Sequence, residues 1–127
     1  MEKGVNVIIT DDKNRVLVLK RSLGVKDSPG LWDLPGGRIE ENENLINAIV
    51  RETKEETNFN IRKASSPFYV YRYPNTEIYA VKTQFNKGDI LKIDRKEHAE
   101  FKWVSKDDWK RLRYTPSVLD TIKRFFQ

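Results

Sequence analysis

The sequence predicts an α/β fold, α+β in the ordering of its elements: a mixed β-sheet covered by helices. Three observations point there. Segments with strand-like alternation lie on both sides of one long stretch with helical spacing, Leu45 to Thr57. Shorter helical pieces close the chain, and no segment repeats.

Gly4 to Thr10 is a β-branched, apolar run, and Asp11-Asp12-Lys13-Asn14 carries turn residues. From Arg15 to Arg21 the chain sets Val16, Leu17, Val18 and Leu19 among charges, so the three pieces predict a hairpin. Ser22 to Gly30 reads as a loop and Leu31 to Leu34 as a short strand. Pro35-Gly36-Gly37 then reads as a backbone turn that only small residues allow. Asn44 is placed to cap the helix, Leu45, Ile46, Ile49 and Val50 recur along it, and Asn58 suits a left-handed C-terminal residue. Phe68 to Tyr73 and Glu77 to Phe85 flank Pro74-Asn75-Thr76 as a second hairpin, and Ala99 to Val104 is a further strand. Ser105 is positioned to cap a helical piece through Arg111. Pro116 opens the last helix, with Val118, Leu119, Ile122, Phe125 and Phe126 on a core-facing stripe.

A chain of 127 residues has too few side chains for a second core, so one domain over residues 1–127 is expected. Zero cysteines exclude disulfides, thiolate catalysis and Cys-ligated zinc. The single histidine excludes a multi-histidine centre, so any metal is expected to be held by oxygen ligands. Apolar runs fall far short of the roughly 20 residues that cross a bilayer. No charged-then-apolar signal pattern opens the chain, and the expected setting is cytoplasmic, away from membranes. The net charge of +5 is spread along the sequence without a basic-aromatic motif, so a nucleic-acid partner is not expected. A monomer and a homodimer both remain open.

Glu52, Glu55 and Glu56 stand at i, i+3 and i+4, within an arc of about 100° on the helix. Glu52 and Glu56 border the apolar face, while Asn47, Arg51 and Lys54 lie opposite. Like charges at these spacings oppose helix formation by a few tenths of a kcal/mol per pair, and partial burial adds to that cost. A hard divalent ion offsets both. Mg²⁺, which takes a few carboxylates together with waters and phosphate oxygens, suits a helix face open on one side.

Residues Gly37 to Phe59, GRIEENENLINAIVRETKEETNF, resemble the Nudix box: Gly, five residues, Glu, seven residues, Arg-Glu, an apolar residue, any residue, Glu-Glu, any residue, Gly, an apolar residue. Gly37, Glu43, Arg51, Glu52, Glu55, Glu56 and Phe59 fit, while Thr53 stands at an apolar position and Asn58 replaces the last glycine. Six matching Gly and charged positions arise by chance on the order of once in 10⁷ windows, so the motif is specific. The flanking Leu31-Trp32-Asp33-Leu34-Pro35-Gly36-Gly37 and Glu97-His98-Ala99-Glu100 also look like that family.

The resemblance implies a Nudix-type α/β/α sandwich and a Mg²⁺-dependent phosphoanhydride hydrolase, with Mn²⁺ as substitute. It implies Glu52 and Glu56 as metal ligands, Glu55 in metal binding or catalysis, and Gly37 as a backbone contact to metal. Glu43 is implied to pair with Arg51. Since eight helical residues separate side chains by about 12 Å, Glu43 must then precede the helix as a clasp. Glu97 is the candidate further carboxylate, with Glu100 behind it. Glu52 is first choice as general base, with Glu55 and Glu97 as alternatives. Arg21, Gly36 and Arg38 are candidates to contact phosphate, and His98 reads as a turn residue.

A short chain with Pro-Gly-Gly before the box resembles MutT-like members acting on nucleoside triphosphates, giving nucleoside monophosphate and pyrophosphate. An Asn or Asp to read a guanine-like base cannot be placed near Tyr114 to Ser117, so specificity for 8-oxo-guanine does not carry over from those members. ADP-ribose or nucleotide-sugar hydrolysis, and a non-catalytic nucleotide-binding module, are the alternatives.

Overall fold

A computed structural model describes residues 1–127. The strands are β1 (Glu2–Thr10), β2 (Val16–Arg21), β3 (Trp32–Asp33), β4 (Gly36–Arg38), β5 (Tyr69–Tyr73), β6 (Thr76–Gln84) and β7 (His98–Val104). Helix α1 spans Leu45–Thr57, α2 spans Pro116–Phe126, and a 3₁₀ turn covers Trp109–Arg111.

Strand β1 is the spine of the sheet. It pairs parallel with β6 from Glu2↔Thr76 to Thr10↔Gln84, and its other edge takes β4 antiparallel and touches β2 at Thr10↔Val16. Beyond it, β2 pairs with β3 on one edge and β7 on the other, and β5 extends β6. Alternation then sorts the side chains into two buried layers. Val5, Val7 and Ile9 of β1, with Leu17 and Leu19 of β2, pack with Ile49 and Phe59 on the α1 side. Ile8, Val16 and Val18 face the other way, onto Val118, Ile122 and Phe126 of α2. The result is a sheet sandwiched between two helices, as the sequence implied.

Four local readings are corrected. Gly36-Gly37-Arg38 is strand β4, pairing with Asn6, Val5 and Gly4 of β1, and Gly36 approaches β1 too closely for a side chain. A Cβ on Gly36, at φ +148°, would fall 1.9 Å from the Val5 carbonyl oxygen. Residues 105–111 form a turn and a 3₁₀ piece instead of a helix, with Asp108 Oδ1 accepting from the Ser105 N–H at 2.6 Å. Leu119 is 42% exposed, since α2 presents Val118, Thr121, Ile122 and Phe126 inward. Helix α1 likewise buries Ala48, Ile49, Thr53, Glu56 and Thr57, whereas Ile46 and Val50 remain exposed.

That rotation of α1 brings a glutamate under the sheet. Thr53 and Thr57 tolerate the buried face because their hydroxyls donate to the carbonyls of Ile49 and Thr53 at 2.7 and 2.6 Å. The helix ends fit their residues: the Asn44 side chain accepts from the Asn47 N–H at 2.9 Å, and Asn58 is left-handed at φ 69°.

Candidate active site

Helix α1 and strand β4 meet at a cleft of about 800 Å³ lined by Glu52, Glu56, Glu97, Asp33, Gly36 and Gly37, among others. Glu56 is 8% exposed, and its Oε1 accepts from the Gly36 N–H at 2.7 Å. The Glu52 carboxylate presses on Gly37, where an added Cβ would sit 2.6 Å from the Glu52 carboxyl carbon. Both glycines therefore serve the site, one by donating to an acid and one by leaving room for another.

Glu43 and Arg51 form the expected clasp across the turn before α1. Arg51 Nε and Nη2 donate to the two Glu43 carboxylate oxygens, each at 2.8 Å. Arg51 also reaches Glu52 at 2.8 Å and the Arg38 carbonyl at 3.0 Å, so one guanidinium ties the β4 loop to the acidic helix face. The pair holds the Glu43 carboxyl at about 2.

The other acids are held less comfortably. Burial pushes Glu56 well above the ordinary carboxylate range, the Gly36 N–H opposes this, and Asp33, Glu52 and Glu97 reinforce it. Burial also raises Glu52, against the pull of Arg51 and with repulsion from Glu55 and Glu97. A cleft that stabilises the neutral forms of two acids and gathers a third beside them has the electrostatics of a divalent-cation site.

The predicted residues do not all converge. The Glu55 side chain is 59% exposed, lies off the cleft and contacts Arg51 at 3.7 Å. Arg38 borders the cleft while paired with Glu2. Arg21 also borders it, with Nη1 on Asp33 Oδ2 at 3.0 Å and Nε donating to the Asp27 carbonyl at 2.7 Å. Glu100, the fallback for Glu97, points to Lys20 at 3.7 Å.

His98 is not a turn residue. It opens β7, is fully buried, and its Nε2 lies 3.0 Å from Asp33 Oδ1. Asp33 and His98 were both missed as site residues, although a charged residue within the Trp-Asp-Leu segment was a visible signal of a buried partner. Asn6 was missed too. A polar residue inside the apolar run of β1, it is 8% exposed, lines the cleft on the α2 side and donates to Ser117 Oγ at 3.3 Å.

The family profile described as the NUDIX domain matches residues 2–125. The chain belongs to the Nudix hydrolase family. A Bacillus subtilis Nudix relative, named as a candidate 8-oxo-dGTP diphosphatase, is 37% identical over 105 residues, which are 81% of this chain and 66% of that protein. An 8-oxo-dGTP diphosphatase of Buchnera aphidicola is 31% identical over 111 residues, 87% of this chain and 81% of its own length. The crystal structure of a MutT protein from Methanosarcina mazei superposes with a TM-score of 0.74 at 26% identity, covering 98% of this chain and 91% of that one. In this Nudix chain no helix is long and apolar enough to cross a membrane.

Proposed function

We propose that this Nudix hydrolase cleaves the α–β phosphoanhydride of a nucleoside triphosphate, releasing nucleoside monophosphate and pyrophosphate, with Mg²⁺ held by Glu52, Glu56 and Glu97. The observation that carries this reading is one cleft with two chemically different ends. Its acidic end holds Glu52, Glu56 and Glu97, and its other wall holds Asn6, Thr115 and Ser117. An anionic chain fits the first end only with cations present, and a base edge fits the amide and hydroxyls of the second.

Bound Mg²⁺ supplies charge neutralisation on phosphate oxygens and a more acidic water. The protein does the rest. Glu52, raised by burial and steadied by Arg51, takes the proton of the attacking water as its oxygen bonds to one phosphorus of the α–β anhydride and the bridging oxygen departs with the other side, as pyrophosphate or nucleoside monophosphate. Glu55 is the weaker candidate for this role because it lies off the cleft. Arg21, fixed by Asp33 and the Asp27 carbonyl, and Arg38 present cations along the phosphate path. Gly37 leaves Glu52 its position, and Gly36 fixes Glu56.

Similarity to proteins named for 8-oxo-dGTP hydrolysis supports a purine deoxynucleoside triphosphate as substrate. Asn6 of β1, which donates to Ser117 Oγ at 3.3 Å, supports a base-reading role for that wall. The test is a panel of dNTPs, oxidised dNTPs, nucleotide sugars, ADP-ribose and dinucleotides at equal concentration, scored for pyrophosphate and phosphate. Pyrophosphate from a purine triphosphate, with base preference altered by Asn6→Ala, supports the reading. Turnover confined to ADP-ribose or nucleotide sugars overturns it.

A further inference from the structure

We infer that Nδ1 of His98 is a direct nitrogen ligand of the divalent ion held by Glu56 and Glu97, an inference that rests on the metal reading above. The buried ring has one nitrogen accounted for and one not. Nε2 lies 3.0 Å from Asp33 Oδ1, and the other oxygen of Asp33 is paired with Arg21 at 3.0 Å. A carboxylate fixed by an arginine is an acceptor, so Nε2 carries the ring hydrogen and leaves a lone pair on Nδ1.

That lone pair has no hydrogen-bond partner, although the His98 side chain is only 1% exposed. Buried polar atoms without partners are uncommon and costly. Glu56 Oε2 stands 3.9 Å away, too far for a hydrogen bond. The Nδ1 lone pair and Glu56 Oε2 therefore face each other beyond hydrogen-bond reach. Divalent ions bond nitrogen and oxygen at about 2.1 Å, so two donors on one ion stand about 3 Å apart when adjacent and about 4.2 Å apart when opposite, and this pair reaches a shared ion with small side-chain shifts.

A third donor stands close by. Ligand atoms of Glu56, Glu97 and His98 all lie within 4.8 Å of one another. The Asp33–His98 contact also has the form in which a carboxylate orients an imidazole and raises its basicity toward a metal on the opposite nitrogen. Arg21 extends the chain from that carboxylate to the cleft wall. The single histidine thus changes the expectation drawn from composition: the ion takes oxygen ligands and one nitrogen.

A nitrogen donor favours Mn²⁺ over Mg²⁺ relative to an all-oxygen site. The decisive measurement is pulsed electron paramagnetic resonance on the full chain loaded with Mn²⁺. Electron spin echo modulation from a directly bonded ¹⁴N is expected, changing frequency on ¹⁵N-histidine labelling and disappearing in His98→Gln. The same variant should bind Mn²⁺ about tenfold more weakly, with a smaller loss for Mg²⁺. If Mn²⁺ binds, Glu56→Gln weakens it and no nitrogen coupling is seen, the His98 assignment is wrong while the metal site stands. If Glu56→Gln binds Mn²⁺ as tightly as the wild type, the metal reading itself fails. The labelled wild-type spectrum decides the question even where His98→Gln does not fold.

Discussion

Replacing Glu56 with Gln should stabilise the metal-free protein and abolish its stabilisation by magnesium. The Glu56 side chain is 10% exposed, accepts from Gly36 at 2.7 Å, and shares its surroundings with the acids Asp33, Glu52 and Glu97. Gln keeps the shape and the acceptor but not the charge, and its amide can donate toward the orphaned Nδ1 of His98. An unpaired buried carboxylate costs several kcal/mol, and the protein recovers part of this by holding a proton there. The net gain on substitution is therefore about 1 to 3 kcal/mol. At about 2.1 cal/mol/K per residue, each kcal/mol moves the midpoint of a chain this long by about 4 °C, so the expected rise is about 4 to 11 °C.

Magnesium should reverse that order. An ion at a hundred times its Kd adds about 2.7 kcal/mol, or about 10 °C, to the wild type and little to the variant. Because the Glu56 pKa is raised, the folded chain binds its proton more tightly than the unfolded chain does at 4.5. Metal-free wild type should therefore gain stability as pH falls through the raised pKa toward 4.5, and the variant, which keeps only the raised Glu52, should show a shallower slope. Scanning calorimetry of both proteins, in chelator and in magnesium at several pH values, measures all of this. A variant that is less stable than wild type in chelator, yet shifts as far with magnesium, would refute the reasoning.

Glu43 should behave oppositely with pH. Arg51 lowers its carboxyl from 4.5 to about 2, so the clasp's contribution is complete above 4.5 and lost as pH falls toward 2, a slope that urea melts should find missing in Glu43→Gln. Thr53→Val should change stability by no more than about 0.5 kcal/mol, since the lost hydroxyl bonds a carbonyl already inside the helix, and a loss above about 1.5 kcal/mol in urea would contradict this. Steady-state kinetics should separate the helix acids: Glu52→Gln should reduce kcat/KM at least about 10³-fold, and Glu55→Gln, at the exposed edge, less than about tenfold.

Local order was largely legible in the residues. Alternation marks one residue after another, so β1, β2, β5, β6 and β7 could be read within a few positions, and Asn44 and Asn58 mark the ends of α1 through their own backbone chemistry. Gly36 and Gly37 misled, because a glycine pair signals conformational freedom in a turn and close backbone approach in a strand equally well, and only the position of Val5 distinguishes them. Leu119 misled because an apolar residue beside a buried stripe need not be buried.

What the sequence by itself determined is the long elements and the family, since helix spacing places Glu52, Glu55 and Glu56 on one side whatever else the chain does. Tertiary packing decided their separate fates: the face of α1 that meets the sheet buries Glu56, sets Glu52 against Gly37 and leaves Glu55 in solvent. It also joined Asp33 to His98 across 65 residues, and Asn6 to Ser117 across 111. Contacts between residues so far apart depend on strand register and helix rotation, which no local period encodes.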